Sequence, residues 1–395
     1  MKLRFFLIFM TMVAVLSDYL LMPFYPHFFE SRFGITDPRE VGFYFSAVCG
    51  TVMIAFPIWA LISKRRSELK ILVYTQVIAG MLAICCFFIT SYVHFWIVSL
   101  SIIVFKGSYL LVYPYILRIT KKEDHTNVIG LLSVIIHFGS VLGAVFGGIV
   151  IDLANPAYIF LGMAAGDFIQ AGMSLYLVNS NWVSHDKEYK KENAPKVSLI
   201  PRGNVLRLGI ITLVLYFSDF ITRPFFVRYW ESVSVYNSKV ISGCIYAIPA
   251  LVAVFALWIN KRQKSSGNVY QGIVSALLLG LAGLILQGYP VAGVVVLGRF
   301  IYGWAFFQAA VRFDVLLFNV SAPESYAIEY SKIHFFQNMG VLMASFFAGI
   351  LVDAWSLNIP FMVALGGYFI VVSLYYYAFR EQITAGKIKR PAYGK

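Results

Sequence analysis

Twelve apolar stretches of about 20 residues each follow one another along the 395-residue chain, and nothing else in the sequence constrains its fold as tightly. A hydrocarbon layer about 30 Å thick is crossed by roughly 20 residues of α-helix. The stretches lie at 4–27, 40–62, 71–91, 94–117, 128–152, 157–178, 208–230, 240–259, 269–288, 291–311, 328–352 and 359–379, and are called spans 1 to 12 below. None alternates polar and apolar residues with period two, which excludes a barrel of the outer-membrane kind. Inside a bilayer each backbone N–H and C=O must be satisfied within its own segment, so each stretch is expected to be a helix. The fold class is therefore an all-α integral membrane protein. The first stretch follows Met1-Lys2-Leu3-Arg4, lacks a small-residue cleavage site and reads as a retained span rather than a signal peptide.

Charge confirms the class and orients it. Only 13% of the residues are charged, about half the usual share in soluble domains, yet Lys and Arg number 32 against 19 Asp and Glu. A net +13 suits a nucleic-acid partner until the basic residues are sorted by connection. The N-terminus, Lys64 to Lys70, Arg118 to Lys122, the 180–207 segment, Lys261 to Lys264, Arg312, and Arg380 with the C-terminal tail hold 24 of the 32. The alternate connections hold Arg32, Arg39, Arg228 and Lys239. By the positive-inside rule both termini are cytoplasmic, and the surplus is an orientation signal with no nucleic acid implied. Cys49, Cys85, Cys86 and Cys244 lie in apolar runs without metal-site spacing and read as small buried hydrophobes.

The chain is also internally repeated. Ser17-Asp18-Tyr19-Leu20-Leu21-Met22-Pro23-Phe24 in span 1 matches Ser218-Asp219-Phe220-Ile221-Thr222-Arg223-Pro224-Phe225 in span 7 at an offset of 201. Gly139, Gly148 and Asp152 match Gly340, Gly349 and Asp353 at the same offset. Lys106 in span 4 and Arg299 in span 10 hold corresponding positions at a slightly different offset. The repeat divides the chain into a six-span half at 1–179, a cytoplasmic linker at 180–206, a second half at 207–380 and a tail at 381–395.

This two-half arrangement resembles the major facilitator superfamily of transporters. Gly139-Ser140-Val141-Leu142-Gly143-Ala144-Val145-Phe146-Gly147-Gly148 is similar to the superfamily's antiporter motif, with Ala144 where the motif has proline. Arg299-Phe300-Ile301-Tyr302-Gly303 resembles a second signature, displaced to span 10, and the acidic, glycine-rich signature between spans 2 and 3 is missing. The resemblance implies a midplane substrate site lined by spans 1, 4, 7 and 10, reached by alternating access.

A charge inside a span costs roughly 2.5–3.5 kcal/mol on insertion scales, so each is a functional candidate. Asp18, Lys106, Asp219, Arg223 and Arg299 fall on spans 1, 4, 7 and 10; span 6 carries Asp167, and span 11 Glu329 and Lys332. Ion pairing of Asp18 with Lys106, and of Asp219 with Arg299 or Arg223, would explain them structurally. A transport role would instead make Asp18 and Asp219 the proton-coupling groups. Lys106, Arg299 and Arg223 would then hold an anionic substrate, the arginines by bidentate contacts. Tyr19, Tyr109, Tyr113, Trp304 and Gln308 are candidate ligand contacts near those charges, or ordinary packing groups in so aromatic a chain. His137 and His334 are candidate proton relays or hydrogen-bonded packing residues. Gly139, Gly143, Gly147 and Gly148 allow close helix packing or gating. Asp152 and Asp353 are expected at helix ends or gates.

Three strings are more specific: Asp18 to Glu30, Glu68 to Gln76, and Phe105 to Tyr115. They look like a bacterial facilitator branch that handles carboxylate siderophores, which implies a hydroxycarboxylate ligand and the bacterial inner membrane. The expectation is a proton-coupled secondary transporter working as a monomer in the bilayer, export favoured over import, with no metal, no cofactor and the proton gradient as its energy source. A multidrug or metabolite:proton antiporter is the alternative, and a non-transporting receptor or intramembrane enzyme the alternative of another class.

Overall fold

The computed structural model describes residues 2–63, 65–112, 115–116, 125–153, 155–180, 201–236, 238–262, 268–321 and 326–385. Tyr113, Lys64, the basic 117–124 stretch, the linker core 181–200 and the tail from 386 lie outside them. Among the described residues twelve helices are long and apolar enough to cross a membrane, and no strand occurs.

Spans 1 and 7 are each broken. Helix Lys2–Tyr19 gives way to a 3-10 turn at Met22–Phe24 holding Pro23, then to Tyr25–Phe33. Helix Gly203–Phe220 stops before Pro224 and resumes as Phe226–Val233. Proline lacks the N–H a continuous helix needs, so the duplicated prolines put the duplicated breaks where they are. Span 1 ends in a left-handed Gly34 (φ 67°), whose N–H and that of Ile35 return to the carbonyls of Glu30 and Phe29. Pro57 and Pro249 sit inside their helices instead. The tenth span runs Ala292–Val320, longer than its apolar run, so Arg312 is a helical residue and not the loop charge expected from the sequence.

Packing repeats with the sequence. Span 1 lies on spans 5 and 6, and span 7 on spans 11 and 12; span 3 packs on 4 and 6, and span 9 on 10 and 12. The matches extend to single contacts. A Cβ on Gly139 would meet the Met12 carbonyl oxygen, and one on Gly340 the Leu213 carbonyl oxygen, both pairs offset by 201. A Cβ on Gly166 would collide with the Ser17 hydroxyl, and one on Gly367 with that of Ser218. Those hydroxyls donate to the Val13 and Val214 carbonyls at 2.9 and 2.7 Å. Without a hydrophobic drive between helices in lipid, such small-residue contacts are what let helix backbones approach.

By contacts the chain forms two units, 1–187 with Val235–Val254, and 188–234 with 255–395. The N-terminal part of span 8, through Val254, thus groups with the first unit, apart from the rest of its sequence half. Glycines explain this placement: a Cβ on Gly148 would strike the Lys239 carbonyl oxygen, and one on Gly243 would come 2.5 Å from the Ala144 carbonyl oxygen.

Candidate functional site

In the first unit the packing of spans 1, 4 and 6 brings three charges together. Lys106 ends helix Tyr92–Lys106 and is 2% exposed. Its Nζ lies 2.7 Å from Asp18 Oδ1 and 3.2 Å from Asp167 Oδ1. Asp167 is fully buried, whereas the Asp18 side chain is 31% exposed. Tyr109, half-buried, stands beside Asp18 and Tyr19. One ammonium therefore serves two carboxylates, so the two acids outnumber the one cation between them.

Asp167 is the residue that sequence reasoning undervalued. An acid inside a span was signal enough, but span 6 is outside the set of spans the resemblance assigns to the cavity.

The second unit answers the repeat with different chemistry. Asp219, the counterpart of Asp18, pairs with Arg223 at 2.5 Å and accepts from Tyr302 Oη at 2.9 Å. Tyr368 Oη reaches Tyr302 Oη at 3.4 Å and holds the position of Asp167 in the 201 repeat. Here the ion pair joins one cation to one carboxylate, in place of the shared ammonium of the first unit. Of the two partners open to Asp219 from the sequence, the structure selects Arg223. Arg299 lies elsewhere: its guanidinium carbon is 4.0 Å from the Phe226 ring centroid, and Nη1 donates to Gln287 Oε1 at 3.4 Å. At 5% exposure it is packed within its own half.

Gln308, also 5% exposed, exchanges hydrogen bonds with Asn260 (3.0 and 3.3 Å) and accepts from Arg312. Tyr19 and Trp304 are half-buried. His137 is half-buried with its carbonyl accepting from Ser140, and exposed His334 stands edge-on to Tyr330. Neither histidine is a hydrogen-bond or ion-pair partner of Asp18, Lys106, Asp167 or Asp219 among the described residues. Gly139, Gly143, Gly147 and Gly148 are all buried packing positions. Lys332 pairs with Glu329 within span 11 at 3.0 Å. No cluster of metal-binding side chains occurs among the described residues.

A second polar device sits at the end of span 5. Asp152 accepts from Ser238 Oγ (2.6 Å), Lys239 N (2.9 Å) and Val240 N (3.0 Å), capping the N-terminus of span 8 from a neighbouring helix. In the first half the equivalent helix caps itself: Asp37, the counterpart of Ser238, accepts from Arg39 N at 2.8 Å. The Arg39 side chain also binds Asp37, holding its carboxyl below the usual carboxylate range. The span 8 cap therefore exists only while span 8 rests on span 5. Asp152→Ala is expected to lower stability by about 1 kcal/mol, read as a lower melting temperature of the purified protein. Asp152→Asn, which can still accept, should recover much of the loss.

Comparison with known proteins bears on the whole chain. A family model described as Major Facilitator Superfamily matches residues 7–326. Among solved structures, a bacterial homologue of the human lysosomal transporter Spinster, inward-facing and occupied, superposes with a TM-score of 0.76 at 11% identity, covering 98% of each chain. The nucleoside transporter NupG gives 0.73 at 13% identity, covering 96% of this chain and all of the other. The human organic anion transporter MFSD10 (TETRAN) gives 0.71 at 13% identity, covering 94% of this chain and 98% of the other. No curated protein matches the sequence.

Proposed function

Because this chain belongs to the major facilitator superfamily, we propose that it is a proton-coupled transporter of a small anionic organic molecule, with a carboxylate siderophore as its substrate. It is a multi-pass membrane transporter of the secondary type and not an enzyme. The observation that carries the proton coupling is the single buried ammonium of Lys106 shared by Asp18 and Asp167. The three sequence strings support the siderophore class, and the loop charges support an inner-membrane protein with cytoplasmic termini. The moving bodies in this reading are the sequence halves, 1–179 and 207–380, within a monomer that needs no cofactor beyond the proton gradient.

The triad also suggests how proton and substrate are linked. A substrate carboxylate that approaches Lys106 adds negative charge to a site that already holds one negative charge in excess, so it binds best once that excess is balanced by a proton. Linkage is reciprocal, and each then favours the other. Arg223, partly exposed beside Asp219, is the second candidate cation for an anion; Arg299 is better suited to holding Phe226 and Gln287 in place. Joint binding moves proton and anion in one direction. The span 5 glycine ladder, similar to the antiporter motif, favours the second reading, export in exchange for protons.

Counterflow of citrate-type carboxylates in proteoliposomes, with and without an imposed pH gradient, tests the proposal. Cotransport predicts accumulation on the alkaline side, and exchange predicts accumulation on the acid side. Carboxylate counterflow without gradient-driven accumulation would remove the proton coupling. Counterflow of cationic drugs in its place would remove the anion.

A further inference from the structure

The second unit holds a cleft of about 430 Å³ between the start of span 7 and the end of span 12. Arg207, Ile210, Leu374, Tyr377, Arg380 and Glu381 are among its walls. It forms where span 12 kinks. Phe379 leaves helical geometry (φ −129°, ψ 20°) inside helix Ile359–Ala385, its ring buried against Tyr375 and Tyr270. The turn beyond the kink is tied down by Gln271, whose Nε2 donates to the Ile383 carbonyl at 3.3 Å.

The cleft has two chemistries. Its floor is apolar and open outward: Ile210 is 44% exposed, Leu374 36% and Tyr377 81%. In a chain that crosses a bilayer, such faces lie against acyl chains. Its rim carries two exposed guanidiniums, Arg207 and Arg380, neither with an ion-pair or side-chain hydrogen-bond partner among the described residues. One carboxylate, Glu381, shares the rim and leaves a net positive charge. Both arginines belong to the basic set that loop charge assigns to the cytoplasmic face, where anionic lipids attract such groups.

We propose that this cleft is a binding site for an anionic phospholipid. The phosphate takes the guanidiniums, whose planar forks match phosphate oxygens, and an acyl chain follows Ile210 and Leu374. A free inorganic anion would use the rim and leave the floor bare. The site stands apart from the Lys106 triad, so the proposal does not depend on the transported substrate.

The test uses the full-length protein purified in detergent, with phosphatidylglycerol, phosphatidylcholine or inorganic phosphate added. Native mass spectrometry reads bound lipid and thermal unfolding reads stabilisation. The wild type should retain phosphatidylglycerol over phosphatidylcholine and melt higher with it. The variant Arg207→Gln/Arg380→Gln should bind phosphatidylglycerol roughly 30-fold more weakly, about fivefold per arginine, with its lipid-free melting temperature unchanged. Arg207→Lys/Arg380→Lys, which keeps the charge, should retain part of the binding. Equal retention of the two lipids, or a glutamine pair that binds like the wild type, would overturn the proposal. Stabilisation by phosphate as large as that by phosphatidylglycerol would overturn it too, in favour of a simple anion site.

Discussion

Gly147→Leu should leave little folded protein to purify. Gly139, Gly143 and Gly147 recur every fourth residue on the face of span 5 that meets span 1. A Cβ on Gly143 would stand 2.6 Å from the Leu16 carbonyl oxygen, and one on Gly147 would overlap the Leu20 carbonyl oxygen outright. The obstacle is backbone at the break in span 1, which cannot swing aside as a side-chain tip can. Overpacking of this kind costs typically 1–3 kcal/mol where side chains yield, and a helix pair that cannot close should lose about 3 kcal/mol or more. Gly172→Leu is the matched control, because nothing lies within 4 Å of the Cβ it would add. Size-exclusion profiles and melting curves of the two variants make the comparison. Equal behaviour would show that the ladder is not a packing surface.

Lys106→Met should be the most damaging change to the candidate site. Removing the ammonium leaves Asp18 and buried Asp167 with no cation between them. Breaking a buried ion pair by deleting one partner costs about 3–5 kcal/mol, because the remaining charge stays uncompensated. Adding Asp167→Asn to Lys106→Met should return much of that stability, since the double variant buries one charge fewer, while transport stays lost. Thermal unfolding of the two single variants and the double variant gives the coupling between the residues. Additive effects would mean that the two groups do not interact as the structure places them.

The spans and the duplication were legible because both are properties of periodic, local patterns. Hydrocarbon demands a run of apolar helix, and the 201-residue offset of Ser17 and Ser218 reappears in the glycines that pack on them. The partner of each charge was less legible, because it depends on which helices touch. Lys106 and Arg299 hold similar positions in the repeat, yet one meets two acids and the other an aromatic ring and an amide. The difference begins in span 7, where Arg223 follows Asp219 by four residues and takes its carboxylate; the first half has Met22 at that place. Asp167 was readable as a charge inside span 6, but only the approach of spans 1, 4 and 6 ties it to Lys106. Span 8 shows the same limit: its sequence belongs with the second half, while Gly148 and Gly243 seat its N-terminal end on span 5.

The Lys106 triad as the site of proton coupling is the central claim, and Asp167→Asn tests it most directly. The change keeps size and shape but removes the excess charge that a proton would balance. In proteoliposomes with an imposed pH gradient, the variant should still exchange substrate in counterflow while gradient-driven accumulation falls to the level without a gradient. Undiminished gradient-driven accumulation by Asp167→Asn would contradict the account.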